Sequence, residues 1–341
     1  MARGGRATAR RARNSPGVKE RLTRGAHNSP RICEVSQGLA PRNQDRGRPS
    51  ALPGRRSESD SPPGGRESQA QRMTMAKSST YESKFPDESG RINYSAAENE
   101  VWRDLMARQD EVLPGRACNS YLKGLEILDF PRDRVPQLLE VDRRLDEVTG
   151  FGVAAVPALI SPEKFFALLA DRKFPAATFI RRREDFDYLQ EPDVFHEIYG
   201  HCPLLTHQTY ADFLQRYGQK ALAAGPRYFW MMQRLFWFTV EFGLIRNSEG
   251  LRIYGAGIAS SAGESPYALE SDVPERREFD PVMIFRTPYR IDIYQTVYYV
   301  IDEIEQLFDL VGRDLVPLMD RARELGPLPP TFPPKEDKAI A

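Results

Sequence analysis

Apolar residues recur three and four positions apart over much of residues 95–325, the spacing of helices that turn one face toward a core. The first helix is predicted to begin at Ser95, where Ser95 and Glu98 form a capping-box pattern, and to stop at Pro114. Further helices are predicted over about residues 117–128, 136–149, 162–169, 208–223, 226–246 and 302–325. Short extended runs lie at residues 153–160, 177–181 and 253–257. The pattern indicates a mainly α fold with a few short strands in a single globular domain.

Residues 1–72 lack this pattern and contain no aromatic residue. They carry 16 Lys and Arg against 6 Asp and Glu, and such a segment cannot bury enough apolar surface to offset its ordering entropy. We expect a disordered basic extension. It could bind nucleic acid, act as an organelle transit peptide, or have no function. The composition changes at Met73 and Met75, which favours translation starting there and leaves residues 1–72 untranslated. The predicted catalytic domain spans residues 73–325, and a Pro-rich tail spans residues 326–341.

Composition narrows the class of protein. The formal net charge is zero, and the three cysteines at positions 33, 118 and 202 form neither a disulfide framework nor a zinc ribbon. A reducing compartment is the simplest interpretation, and we expect a cytoplasmic protein. No run approaches the roughly 18 apolar residues of a membrane span, and the first residues have no apolar segment typical of a secretory signal.

Three of the four histidines fall between positions 196 and 207. Imidazole is the commonest side-chain metal ligand, so the pair His196 and His201 is a candidate metal site. Residues five apart diverge on an α-helix. We therefore expect His196 in the last helical turn and His201 just beyond it, with Gly200 in a left-handed conformation and Pro203 ending the helix.

A third ligand is suggested by Glu241, which interrupts the apolar run 235–245. A carboxylate there is costly to bury unless it has a partner, and a metal ion supplies one. Two imidazoles and one carboxylate that leave other positions open are typical of non-haem iron(II) oxygenases. A zinc hydrolase could use the same three ligands, and a nucleic-acid-binding protein led by its basic tail is a further alternative.

Several motifs together resemble the aromatic amino acid hydroxylases, and most closely their bacterial phenylalanine 4-hydroxylase branch. The resemblance extends in order over about residues 81–325. The segments that carry it are residues 187–193, 195–204, 237–244, 254–261 and 286–292.

The resemblance implies a mainly helical catalytic domain that uses iron(II), tetrahydrobiopterin and dioxygen to hydroxylate an aromatic ring. It implies hydroxylation of L-phenylalanine to L-tyrosine, in phenylalanine catabolism or tyrosine supply. Tryptophan and tyrosine remain alternative substrates, because pocket walls set that choice. The implied metal ligands are His196, His201 and Glu241. The implied substrate residues are Arg181, Tyr188, Leu189, Trp237, Phe242 and Ser260, and the implied pterin residues are Ala158, Ile160, Phe165, Glu197 and Phe236.

The chain also departs from the family pattern. Phe236 stands where a tyrosine is usual, Leu189 replaces a threonine of the animal enzymes and Ala158 replaces their glycine. We expect altered rates from these changes, since none removes a metal ligand. The regulatory domain and the tetramerising helix of the animal enzymes are not recognisable, which implies a monomer. The expected functional partners are a pterin carbinolamine dehydratase and a dihydropteridine reductase.

Overall fold

The computed structural model describes residues 81–334 except Ala158, Leu159, Tyr188, Gln190 and Glu249. The predicted extension 1–72 lies outside the described residues, as do residues 335–341 of the predicted tail. Helices dominate, and the prediction of a mainly α fold with a few short strands is confirmed. The α-helices are α1 Ala96–Val112, α2 Asn119–Leu128, α3 Leu138–Thr149, α4 Pro162–Ala170, α5 Cys202–Leu205, α6 Gln208–Ala224, α7 Phe229–Phe236, α8 Ala256–Ala259, α9 Glu264–Glu270, α10 Pro281–Arg286, α11 Glu305–Gly312 and α12 Val316–Leu325.

The strands form two small sheets. In the first, β1 and β2 pair in parallel; in the second, the spatial order is β4-β3-β6-β5. The second sheet is mixed, since β3 pairs antiparallel to β4 and parallel to β6, while β5 also runs parallel to β6. The strands are β1 Gly152–Val156, β2 Lys173–Ala177, β3 Gly243–Asn247, β4 Gly250–Ile253, β5 Glu275–Glu278 and β6 Val297–Ile301.

Local capping explains the helix starts that the sequence predicts correctly. The Ser95 hydroxyl accepts a hydrogen bond from the Glu98 backbone, and the Glu98 side chain accepts one from the Ser95 backbone, so the predicted capping box is present. At the start of α4 the Ser161 hydroxyl accepts a hydrogen bond from the Lys164 backbone, and Pro162 occupies the first turn of the helix. Gly150 ends α3 with φ 69°, the left-handed conformation that glycine adopts at little cost.

Four predicted elements are wrong at their bounds or in type. The strand predicted over 177–181 lies earlier, at β2, and the helix predicted over 226–246 stops before β3. The strand predicted over 253–257 is instead the end of β4 followed by α8, and the helix predicted over 302–325 is split into α11 and α12. β2 and β3 are held by partners in other parts of the chain, and tertiary pairing there overrides local preference.

A continuous apolar core connects the helices with the sheets, and many of its largest side chains are aromatic. The core continues up to the segments that carry the candidate ligands, so those segments are fixed by packing on at least one side. Within the described part of the chain, no helix combines the length and the apolar character that a membrane span requires.

Candidate metal centre

The structure brings the three predicted metal ligands together. The Nε2 atoms of His196 and His201 lie 3.1 Å apart. The Glu241 carboxylate lies 3.5 Å from His196 Nε2 and 3.2 Å from His201 Nε2. All three ligand atoms fall within 4.8 Å of one another. Two imidazole nitrogens and one carboxylate oxygen that converge from one side are the donor set of a facial-triad iron site, so the residues present fit such an ion.

The two histidines converge by a route that differs from the prediction. Residues Phe195–His201, the histidine segment, form a π-helical turn that continues directly into α5. In a π-helix each N–H bonds to the carbonyl five residues earlier, so side chains five apart share a face. The expected helix end is wrong, and Gly200 is not among the glycines with positive φ. His196 and His201 are therefore aligned by the wider π-helical turn and not by a break in the helix.

Glu241 is carried by a second π-helical turn, Trp237–Glu241, the glutamate segment. Its closing bond runs from the Phe242 N–H to the Trp237 carbonyl, five residues earlier, at 2.9 Å. β3 begins at Gly243, so the chain leaves the helix immediately after the ligand. π-turns inside helices occur frequently at functional sites, and here both ligand-bearing segments have one.

Glycines allow α8 to approach both segments closely. A Cβ on Gly200 would lie 2.9 Å from the Ala256 carbonyl oxygen. A Cβ on Gly255, the residue before α8, would lie 2.4 Å from the Glu241 carbonyl oxygen and 2.4 Å from the Gly243 nitrogen. Glycine is therefore required at these positions by close backbone approach and not by backbone conformation.

Ser260, at the end of α8, fixes the tautomer of His196. The Ser260 hydroxyl donates to the Ala256 carbonyl at 2.9 Å, so its oxygen is an acceptor for His196 Nδ1, 3.0 Å away. The His196 proton is thereby held on Nδ1, which leaves the Nε2 lone pair directed toward His201 and Glu241. Hydrogen bonds of this kind orient ligating histidines.

Arg181 and Asp193 form a buried ion pair beside the histidine segment. Arg181 Nε and one terminal nitrogen donate to the two Asp193 oxygens at 2.8 and 2.9 Å. Asp193 also accepts the Arg181 backbone N–H at 2.9 Å and the His196 backbone N–H at 3.0 Å. Burial opposes ionisation of Asp193, but Arg181 outweighs it and holds the pKa of the carboxyl below its usual range. One carboxylate therefore fixes both the arginine and the start of the histidine segment.

Mutual charge governs the protonation of the ligands. Burial opposes protonation of both imidazoles; at His201 it prevails and lowers the pKa, whereas at His196 the Glu241 carboxylate outweighs it and raises the pKa to about 9. Burial likewise opposes ionisation of Glu241, but the two histidines lower its pKa. A proton and a metal ion compete for the same atoms, so metal binding weakens as the pH falls.

A cavity of about 190 Å³ adjoins the ligands. Its walls include His196 and Glu241 together with five of the six predicted substrate residues: Arg181, Leu189, Trp237, Phe242 and Ser260. The sixth, Tyr188, lies outside the described residues. The Trp237 ring packs against Phe242, with centroids 4.5 Å apart, and stacks on Tyr289 at 4.4 Å. The cavity thus combines an aromatic wall and an arginine, and it adjoins the three candidate metal ligands, His196, His201 and Glu241, which we call the ligand cluster.

The predicted pterin residues lie mainly around His201. Phe165 packs edge-to-face on Phe236 at 5.0 Å, and the Phe236 ring lies 6.0 Å from that of His201. The Glu197 carboxylate lies 4.0 Å from His201 Nε2, and burial, aided by Glu241 and Asp193, raises its pKa to about 8. Ile160 is half-buried just before α4, and Ala158 lies outside the described residues. None of these four described residues lines the 190 Å³ cavity.

Several site residues were missed by sequence reasoning. Phe174 of β2 packs on the His201 ring at a centroid distance of 4.4 Å, and Asp193 holds Arg181. Gln295 accepts the Trp237 indole N–H at 2.9 Å, and Glu264 accepts the Gln295 backbone N–H at 2.9 Å. Asp193 could have been found as an acid three residues before a candidate ligand histidine. The other three residues show no local signal, because their partners are distant in sequence.

The comparisons with known proteins agree with this geometry. A family model described as "Biopterin-dependent aromatic amino acid hydroxylase" matches residues 53–320. A phenylalanine-4-hydroxylase of Vibrio cholerae is 53% identical over 258 residues, which cover 76% of this chain and 89% of that protein.

Solved structures give the same result. A phenylalanine hydroxylase of Legionella pneumophila has a TM-score of 0.72 and 53% identity, covering 74% of this chain and 100% of that one. The Chromobacterium violaceum phenylalanine hydroxylase with bound oxidised Fe(III) has a TM-score of 0.69 and 44% identity, covering 74% of this chain and 92% of that one. The similarity is therefore close in both sequence and fold.

Proposed function

Because this chain belongs to the biopterin-dependent aromatic amino acid hydroxylase family, we propose that it hydroxylates L-phenylalanine to L-tyrosine with dioxygen. It is a pterin-dependent monooxygenase: its metal is iron(II), and its reductant is a tetrahydropterin. The convergence of His196, His201 and Glu241 at the wall of an aromatic-lined cavity is the observation that carries the proposal.

The three converging side chains hold the iron. Ser260 keeps the His196 proton on Nδ1, so that Nε2 is free to bind the metal ion. Glu241 adds a negative charge next to the two buried imidazoles, which favours binding of a cation there. Bound iron(II) would activate dioxygen, and a bound tetrahydropterin would supply half of the electrons that reduce it; the substrate ring supplies the other half as one oxygen atom enters the ring and the other the pterin. A set of three protein ligands would leave further coordination positions of the iron open to dioxygen.

Arg181 binds the substrate carboxylate. Its Nε and one terminal nitrogen are engaged by Asp193, so the guanidinium is fixed in orientation before substrate arrives. The other terminal nitrogen makes only a long 3.5 Å contact to the Phe186 carbonyl and is available to the cavity. Trp237 and Phe242, with Leu189 at the rim, enclose the aromatic ring of the substrate.

Phe165 and Glu197 would hold the pterin on the His201 side. Phe165 is half-buried, so part of its ring would be open to stacking, and Ile160 lies two residues before α4. Glu197, beside His196 in the histidine segment, would face the cofactor with a carboxyl group whose pKa is raised by burial. Phe236, which has no hydroxyl, would form the adjoining wall, since its ring lies 6.0 Å from that of His201.

The test is an anaerobically reconstituted iron(II) enzyme supplied with tetrahydropterin, dioxygen and one aromatic amino acid at a time. Tyrosine formation from phenylalanine is expected to have the highest kcat/KM, with one pterin oxidised per tyrosine formed. His196→Ala and Glu241→Ala are each expected to abolish coupled turnover. Full activity of either variant would reject the ligand assignment, and a higher kcat/KM for tryptophan or tyrosine would reject the substrate assignment.

A hydroxylated pterin cannot react again until water is eliminated and the ring is reduced. We therefore infer that a pterin carbinolamine dehydratase and a dihydropteridine reductase are the functional partners. We propose a monomer formed by a catalytic domain over residues 73–325 in the cytoplasm. For the full 341-residue chain, a molar mass near 38.8 kDa by light scattering would support the monomer, whereas a multiple of it would reject it.

A further inference from the structure

The cavity contains a buried carboxylate besides Glu241. Glu264, the first residue of α9, is 5% exposed and lines the same 190 Å³ space as Arg181. A buried carboxylate is costly unless hydrogen bonds and an opposite charge compensate for lost hydration. The hydrogen-bond partners of Glu264 therefore show whether a compensating positive charge is present or must come from a bound molecule.

Only one oxygen of Glu264 is engaged. Oε1 accepts the Gln295 backbone N–H at 2.9 Å and the Tyr298 hydroxyl at 2.7 Å. Among the described residues, no donor is bonded to Oε2 and no cationic side chain pairs with this carboxylate. Burial raises the pKa of Glu264 to about 7, although the two hydrogen bonds oppose that change. Two neutral donors hold the group in place but leave its charge unpaired.

The other described carboxylates of the cavity are engaged differently. Glu241 faces the two histidines. Asp187 is 92% exposed at its side chain and pairs with Arg108 at 2.7 Å. Glu191 is half-buried and interacts with other residues of the chain. Glu264 thus combines burial at the cavity wall, a fixed orientation and a second oxygen that has no hydrogen-bond partner among the described residues.

An amino acid substrate carries the missing charge. Its carboxylate is assigned to Arg181 and its ring to Trp237, so its ammonium group is the part without a partner in the proposed function. We propose that Glu264 binds the substrate α-ammonium group through Oε2. This inference rests on the proposed function and extends it to recognition of the amino group.

Gln295 couples this contact to the aromatic wall. Its backbone N–H donates to Glu264, while its side-chain oxygen accepts the Trp237 indole N–H. The ammonium subsite and the ring subsite are therefore fixed by one residue. Binding of the amino group through Glu264 helps to position the ring relative to the ligand cluster.

The test compares L-phenylalanine with 3-phenylpropionate, which has the same ring and carboxylate but no amino group. Dissociation constants are measured by anaerobic calorimetry on the iron(II) enzyme. Glu264→Gln keeps acceptors for Gln295 and Tyr298 but removes the charge. It is expected to weaken L-phenylalanine binding roughly ten- to a hundredfold and 3-phenylpropionate binding less than about twofold.

Two further variants serve as controls. Glu264→Asp keeps the charge and should retain more discrimination for the amino group than Glu264→Gln, even if both variants melt at lower temperature. Glu191→Gln removes another cavity carboxylate and should change the binding of both ligands by the same factor. Equal effects of Glu264→Gln on both ligands, no effect on either, or selective loss in Glu191→Gln would overturn the inference. A wild-type enzyme that binds neither ligand would instead reject the proposed function.

Discussion

The histidine segment and the glutamate segment both adopt a π-helical turn, but different forces fix their ligand side chains. The histidine segment is held by polar side chains outside it: Asp193, two residues before the segment, accepts the His196 backbone N–H, and Ser260 accepts from the His196 ring. No side-chain hydrogen bond of this kind reaches the backbone of the glutamate segment from another element, among the contacts of the described residues.

The glutamate segment is held by packing. Gly255 and Gly243 approach its backbone so closely that a Cβ on either would overlap it. Trp237 and Phe238 at its start pack on Tyr289. The two segments therefore differ in what fixes them: hydrogen bonds set the position, ring rotation and tautomer of His196, whereas close packing sets the backbone that carries Glu241.

Asp193→Ala should have the largest effect, because it removes the polar support of the histidine segment. It leaves the buried Arg181 guanidinium without its counter-charge and should lower the free energy of unfolding by about 3–5 kcal/mol in urea titrations. The control is Glu278→Ala, which breaks the exposed pair with Arg246 and should cost less than about 1 kcal/mol. Equal losses in the two variants would mean that the buried pair does not support the segment.

Gly255→Ala tests the packing that holds the glutamate segment. The added methyl group must displace the backbone at Glu241 or Gly243, and such overpacking should lower the free energy of unfolding by about 1–3 kcal/mol. Iron affinity should fall as well, since Glu241 moves. Gly312→Ala is the matched control, because a Cβ at Gly312 meets no atom within 4 Å. A Gly255→Ala variant as stable and as iron-binding as this control would contradict the packing explanation.

Ser260→Ala separates tautomer control from folding. Without the hydroxyl acceptor, the His196 ring is free to rotate and to place its proton on Nε2, so iron affinity should fall roughly ten- to a hundredfold. Ser265→Ala removes a buried hydroxyl that contacts only backbone carbonyls and should leave iron affinity unchanged. Competition with a chelator measures both variants, and similar affinities for the two would show that Ser260 does not orient His196.

The pH dependence of stability tests the ion pair that supports the histidine segment. We expect it to be smaller than the effects of the three substitutions above. Because the folded state holds the pKa of Asp193 below its usual range, its contribution is present above about pH 3.9, the ordinary value, and is lost as the pH falls through the folded pKa. Asp193→Asn lacks this contribution. The difference in unfolding free energy between wild type and Asp193→Asn should therefore narrow below about pH 4, and a constant difference would disprove the assignment.

Local sequence predicts capped helix starts well and tertiary pairing poorly. The caps at Ser95 and Ser161 lie next to the residues they bond, so both helix starts are correct. By contrast, β3 depends on β6, more than fifty residues away, and the sequence was interpreted there as a continuing helix. The π-turns were also missed, because the close approach of α8 at Gly200 and Gly255 is not visible in the local pattern.

In the candidate site, too, residues with a local sequence signal could be predicted, and residues that depend on distant contacts could not. Rare residue types point to the candidate ligands, since histidines are few in this chain and Glu241 interrupts an apolar run. The family resemblance implied six substrate residues; five of them line the cavity, and the sixth, Tyr188, lies outside the described residues. Glu264 and Gln295 were not found from the sequence, because their importance depends on contacts more than thirty residues apart and on burial.

The wide turn at Glu241 has a consequence for how the gene can change. A π-turn differs from an ordinary turn by a single residue, so an in-frame loss of one codon between Trp237 and Glu241 would restore regular winding. Glu241 would then rotate by about 100° around the axis of α7, away from the histidines, although no ligand had been replaced. An alignment scored only on the three ligands would still count such a sequence as intact.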